Sequence, residues 1–128
     1  MSLCLVGCHL FALPSEVVCR ADDPCADCDS DYAQNVENVA CEKASRDFAA
    51  NSDYNDECDA ANAALDLVLN DPNSTTLQKA DAAIVCVARI AQAALSLQAA
   101  LWASEDVARE AMVAAWEAWE ACMQAGGC

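Results

Sequence analysis

Cysteine is the residue type best supplied for chemistry in this chain, with ten among 128 residues. Two of them, Cys25 and Cys28, form a Cys-x-x-Cys within the stretch PCADCDSDY. That spacing suits a redox dithiol, a metal site or a structural bridge. A redox cysteine needs its thiol pKa lowered by a helix N-terminus or a nearby cation. Here Asp22, Asp23, Asp27 and Asp29 surround the pair; their negative field disfavours the thiolate, and no βαβ pattern follows. The pair is therefore expected to belong to a disulfide staple in an acidic loop. An even and dense set of cysteines in a short chain is the composition of a disulfide scaffold, which persists in oxidising compartments. A secreted or extracytoplasmic location is expected on that ground, while the connectivity stays open.

Alternating Asp27, Asp29 and Asp31 resemble the first ligands of a calcium loop. However, Tyr32 stands where such a loop needs glycine and Asn38 where it needs a bidentate glutamate. A weak calcium contact is the most this pattern supports, and capping a helix is its ordinary use. The single histidine, His9, lies in the apolar stretch LCLVGCHLFAL. No phosphate-cradling loop, nucleophile elbow or histidine-rich metal motif occurs, so a non-catalytic protein with no resident cofactor is expected. No Lys or Arg precedes that apolar stretch, and it carries two cysteines. It is read as part of the mature fold, not as a discarded leader.

Charge narrows the partners. The net charge is −15, from 21 acidic and 6 basic side chains, and fifteen acids against three bases fall between Glu16 and Asp71. Such a surface repels phosphate, which disfavours nucleic acids and anionic membranes.

The elements that must position these groups are helical from Asp31 onward. A first helix is expected over about 32–50, with Ala33, Val36, Ala40, Ala44 and Phe48 inward. A break at Asn51-Ser52-Asp53 precedes a second helix over about 54–69, with Tyr54, Cys58, Ala61, Leu65 and Val68 inward. Pro72 stops it. A third helix should begin at Thr75 or Thr76, where Thr75 and Gln78 suit a capping box, and run to about Trp102 with Ala80, Ile84, Val87, Ala91 and Leu95 inward. The stretch 82–103 is long enough to cross a bilayer, yet central Arg89, two glutamines and many alanines favour a bundle core and no membrane span. Ser104-Glu105-Asp106 would cap a fourth helix ending at Gly126-Gly127; if the chain passes through Ser104, helices three and four are one rod. Its inward face is expected to include Val107 or Ala108, with Ala111, Met112, Ala115, Trp119 and Cys122. The expected fold is all-α, an up-down bundle of about four helices over 31–128, in a single domain 1–128 with a disulfide-rich, mostly irregular segment at 1–30.

Within that bundle Cys41, Cys58, Cys86 and Cys122 fall in one layer, by helical rise. Two bridges, Cys58 with Cys86 and Cys41 with Cys122, are expected there. A thiolate metal site and free buried thiols are the alternatives. Cys4, Cys8, Cys19, Cys25, Cys28 and Cys128 would tie the N-terminal segment to itself or to the bundle. Trp102 and Trp116, with Met112 and Met123, suggest an apolar surface for a second copy or a protein partner. Asn73-Ser74-Thr75 is a glycosylation sequon on an exposed turn, relevant to a eukaryotic source. The functional expectation is a secreted or surface protein of structural or binding role, with a cysteine-thiolate metal protein as the alternative.

Overall fold

The computed structural model describes residues 24–126. His9 and the bridge candidates Cys4, Cys8, Cys19 and Cys128 lie outside the described residues, as does the expected irregular segment before Pro24. Two helices, α1 (Pro24–Leu69) and α2 (Thr76–Ala125), account for nearly all of the described chain, and no strand occurs in it. The all-α expectation holds, with two helices in place of about four.

Each missing break has a local cause. α1 begins eight residues before Tyr32 because Pro24 suits the first helical turn, where its missing N–H costs no hydrogen bond. Asp27 adds a favourable negative charge in that turn. Asn51 does not stop the helix, since its side-chain amide donates to the carbonyl of Asp47 one turn back at 2.8 Å. Ser104 is not a cap. It is 4 % exposed; its hydroxyl accepts from Arg46 Nε at 3.2 Å, and its carbonyl accepts from Arg46 Nη2 at 3.1 Å. A serine that serves the neighbouring helix leaves its own backbone helical, so the expected third and fourth helices form one rod.

The stop at Pro72 is where the sequence places it. Around it, Ser74 N–H donates to Asp71 O at 3.1 Å and Asn73 N–H donates to Asp71 Oδ1 at 2.9 Å, closing a tight turn. Thr75 and Gln78 make the reciprocal capping box: Thr75 N–H donates to Gln78 Oε1 at 2.8 Å, and Gln78 N–H donates to Thr75 Oγ1 at 3.1 Å.

The chain divides into two compact units. Of the described residues, one comprises those up to Arg46 with those from Ala103 onward; the other is Asp47–Trp102. Within each, a segment of α1 pairs with one of α2, and the pairing is antiparallel. In the first unit Asp29 meets Trp119 and Lys43 meets Glu105. In the second, Glu57 meets Arg89 and Asn62 meets Cys86.

The seams are made of small residues. Among the described residues, the buried apolar set is Cys28, Ala61, Cys86, Ala93, Ala108 and Ala115, and Ser104 is the buried polar residue. Their spacing follows an 11-residue period: Ala93, Ser104 and Ala115 on α2, with Cys86 and Ala108 two periods apart, and Cys28 and Ala61 three periods apart on α1, with half-buried Val39 and Ala50 between them. Eleven residues make three turns of 3.67 residues each, close to the straight α-helix, so one stripe stays on one side of a long helix. Small side chains on that stripe let the helices approach closely.

The expected inward face of 76–102 is therefore inverted. Ile84, Val87 and Leu95 are 67 %, 69 % and 60 % exposed, while Cys86 and Ala93 are buried. On the first expected helix Ala40, Ala44 and Phe48 also point outward. The expected inward set of 54–69 is as the periodicity has it, from half-buried to buried, as is that of 107–122 with Ala108 inward and Val107 exposed.

Candidate binding surface

The staple comes first. Cys28, held inside the first turns of α1, is bonded to Cys122 near the end of α2, with Cα atoms 5.7 Å apart across 94 residues of sequence. Cys25 and Cys41 are also disulfide-bonded. The Cys-x-x-Cys is thus structural at Cys28, but it sits on a helix and not in a loop, and Cys28 reaches across to α2.

The two bridges expected in a common layer do not form. Cys58 and Cys86 are free thiols, and Cys122 pairs with Cys28. Register explains this. Asn62 lies opposite Cys86, whose thiol donates to Asn62 Oδ1 at 3.7 Å. Cys58 is four residues earlier, about 6 Å away along the axis, next to Glu57, whose carboxylate meets Arg89. Once helices three and four are one rod, Cys122 leaves the layer. Two of the four thiols are then committed to disulfides, so the four-cysteine metal layer is not assembled.

Next to the staple, Trp119 Nε1 donates to Asp29 Oδ1 at 2.8 Å. Trp119 stacks obliquely on Trp116 with ring centroids 4.7 Å apart, and Tyr32 meets Trp116 edge-on at 5.9 Å. This cluster uses Asp29, one of the three calcium candidates, as a hydrogen-bond acceptor. Asp27, Asp29 and Asp31 lie on helical backbone, where two-residue steps turn Asp29 away from the other two; the loop that would gather them is absent. No group of three metal-ligating side chains occurs among the described residues.

In the unit Asp47–Trp102, Arg89 donates to Glu57 Oε1 from Nε at 3.0 Å and from Nη2 at 2.7 Å. A groove of about 360 Å³ lies beside the pair, lined by Asp53, Tyr54, Gln92 and Ser96 among others. Arg89 and Glu57 neutralise each other, which leaves Asp53 as the remaining charged side chain of the groove. The phenol of Tyr54 is held above its ordinary pKa, first by its hydrogen bond with Cys58, then by the charge of that group, and last by desolvation.

The largest feature is the outer side of α2. Leu77, Ile84, Val85, Val87, Leu95 and Trp102 are all more than half exposed, and between Ala82 and Trp102 the one charged residue, Arg89, is turned to α1. By length and composition α2 can cross a membrane: an 18-residue window has mean hydropathy 1.7, with 11 % of it buried. Beyond Ser104 the exposed side becomes charged, with Glu105, Asp106, Arg109, Glu110, Glu117 and Glu120. Of the expected surface residues, Trp102 belongs to this apolar face in one unit. Trp116, Met112 and Met123 belong to the other unit, where both methionines are half-buried. Sequence periodicity overlooked Leu77 and assigned Ile84 and Leu95 to the core. The signal available was the 11-residue recurrence of small residues, which marks the close seam and leaves the large residues opposite.

The chain matches no family model, no curated protein and no solved structure.

Proposed function

We propose that this chain is a non-catalytic, disulfide-stapled helical protein of an extracytoplasmic space, with a structural or binding role carried by the apolar outer side of α2. The observation behind this is the inside-out size pattern: small residues fill the seams and large ones stand in water. Fully burying a Leu, Ile or Val side chain stabilises by about 1.5–3 kcal/mol. Scaled by the exposed fractions of Leu77, Ile84, Val85, Val87, Leu95 and Trp102, covering this face contributes roughly 6–12 kcal/mol per chain. That is comparable to the roughly 4–15 kcal/mol that association costs, so an apolar surface on the partner that is covered in the same contact supplies the surplus that binding requires.

A bilayer suits it less well. The α1 segment paired with this part of α2 carries Asp47, Asp53, Asp56, Glu57, Asp59 and Asp66, and inserting α2 would draw those carboxylates toward hydrocarbon at about 2.5–3.5 kcal/mol for each at the centre. The cysteine-thiolate metal reading retains Cys58 and Cys86 alone among the described residues. Flotation of the protein with neutral phosphatidylcholine vesicles, with elemental analysis of the purified chain, tests the proposal. The expected result is protein that stays below the vesicles and carries no stoichiometric metal. Co-flotation, or one zinc per chain that survives dialysis, would overturn it.

A further inference from the structure

We infer that the outer side of α2 between Leu77 and Trp102 is the seam of a two-fold homodimer, in which α2 packs antiparallel against α2 of a second copy. This rests on the binding role proposed for that face and names its partner. The seam toward α1 repeats every 11 residues, whereas the outer side repeats every seven. Leu77, Ile84, Ala91 and Gln98 form one row, and Asp81, Ala88, Leu95 and Trp102 the other, in alternating steps of four and three. All eight are exposed. Two interleaved rows of this kind are the a and d positions of a coiled coil.

The order of residues along the rows identifies the partner. An antiparallel pair with its two-fold axis between residues 89 and 90 sets each position of one row against the other row of the second copy. Ala88 then meets Ala91, small against small at the centre, where the helices come closest. Ile84 meets Leu95, and Leu77 meets Trp102, both apolar. Asp81 meets Gln98, whose amide donates to the carboxylate, so the polar residues also fall in a common layer and fix the register. A face that matches its own reverse is what an isologous two-fold contact requires. A parallel pair would set Asp81 against Asp81 and Trp102 against Trp102.

Charge and area agree. Asp53, Asp56, Asp59 and Asp66 are exposed on α1, which packs on the opposite side of α2, so these α1 acids of both copies stay clear of the seam, and Asp81 is the acid each copy contributes to it. At about 100 Å² per fully buried aliphatic side chain and about 200 Å² for an indole, the exposed fractions of Leu77, Ile84, Leu95 and Trp102 give roughly 330 Å² per copy, and Val85 and Val87, which flank the rows, raise this to roughly 450 Å² when covered. The intervening alanines and the polar layer bring the pair to about 1,200 Å², the lower bound of a standard specific interface.

Sedimentation equilibrium on the full chain tests this, with mixing of two variants. Wild-type protein at tens of micromolar is expected at twice its 13.5 kDa mass. Ile84→Lys and Leu95→Glu are each expected to be monomeric with unchanged far-ultraviolet helicity, because both side chains face water in the single chain. Mixed in equal amounts, the two variants are expected to pair at least tenfold more tightly than either does alone, since the antiparallel seam sets the introduced lysine against the introduced glutamate. A monomeric wild type at 100 µM, or variants that dimerise as well as wild type, would overturn the seam. A mixture that pairs no better than its components would overturn the antiparallel register. A monomer that also floats with neutral vesicles removes the binding role with the seam, whereas a monomer that does not float removes the seam alone.

Discussion

Replacing both Cys28 and Cys122 with alanine removes a bridge that spans 94 residues. In the chain-entropy account, closing a loop of that length lowers the free energy of folding by about 4.7 kcal/mol. The disulfides at Cys25 and Cys41 already constrain the unfolded chain, so the loss is expected between about 2 and 4.7 kcal/mol. That is large for this protein, because the buried apolar set among the described residues is two cysteines and four alanines and a small domain is stable by only about 5–15 kcal/mol. Urea unfolding at fixed protein concentration, followed by far-ultraviolet circular dichroism, reads the effect. With a slope of about 2 kcal/mol per molar urea, the middle of the usual range, the midpoint is expected to fall by about 1–2.4 M. The slope itself is expected to rise, since the unbridged denatured chain exposes more surface. A midpoint shift below about 0.3 M would show that the bridge constrains nothing the seams do not already hold.

Three further outcomes follow from the geometry. Arg46→Met removes two charge-assisted bonds to buried Ser104 and is expected to cost about 1.5–3 kcal/mol in the same denaturation assay; a cost below about 0.5 kcal/mol would show those bonds to be incidental. Ala93→Leu forces a large side chain into the small-residue seam and is expected to cost about 1–3 kcal/mol, with an unchanged or raised midpoint as the contrary result. Cys58→Ala is expected to let the raised Tyr54 phenol fall back toward 10.0 in a tyrosinate absorbance titration. Because the folded value is the higher one, the associated stability is complete below the unfolded value and lost as pH rises through the folded one, so the variant should lose less stability in that alkaline window.

How far the sequence was legible depended on the strength of each local signal. Pro72 stops a helix at a cost of about 3 kcal/mol, and the turn falls there. Thr75 and Gln78 carry a specific reciprocal geometry, and they form it. Asn51 and Ser104 express only a preference of a few tenths of a kcal/mol against helix, and a backbone bond in one case and Arg46 in the other outweigh it. The inverted face of α2 has a different origin. Hydrophobicity weights Ile84 and Leu95 above Ala93, so periodicity reads the larger residues as core; close packing of two helices instead selects the smaller ones. The bridge of Cys28 was out of reach of the sequence because it depends on α1 starting at Pro24 and on α2 passing through Ser104. The aromatic cluster at Tyr32, Trp116 and Trp119 was likewise visible only as separate residues.

The pairing of two continuous helices in this register is the claim on which the rest stands, and a non-reducing peptide map of alkylated native protein tests it most directly. The expected result is a peptide pair linking Cys28 to Cys122, with Cys58 and Cys86 recovered as alkylated thiols. A link between Cys58 and Cys86 would contradict the register across the turn, and one between Cys41 and Cys122 would contradict the continuous rods, since it requires the four shorter helices that they replace.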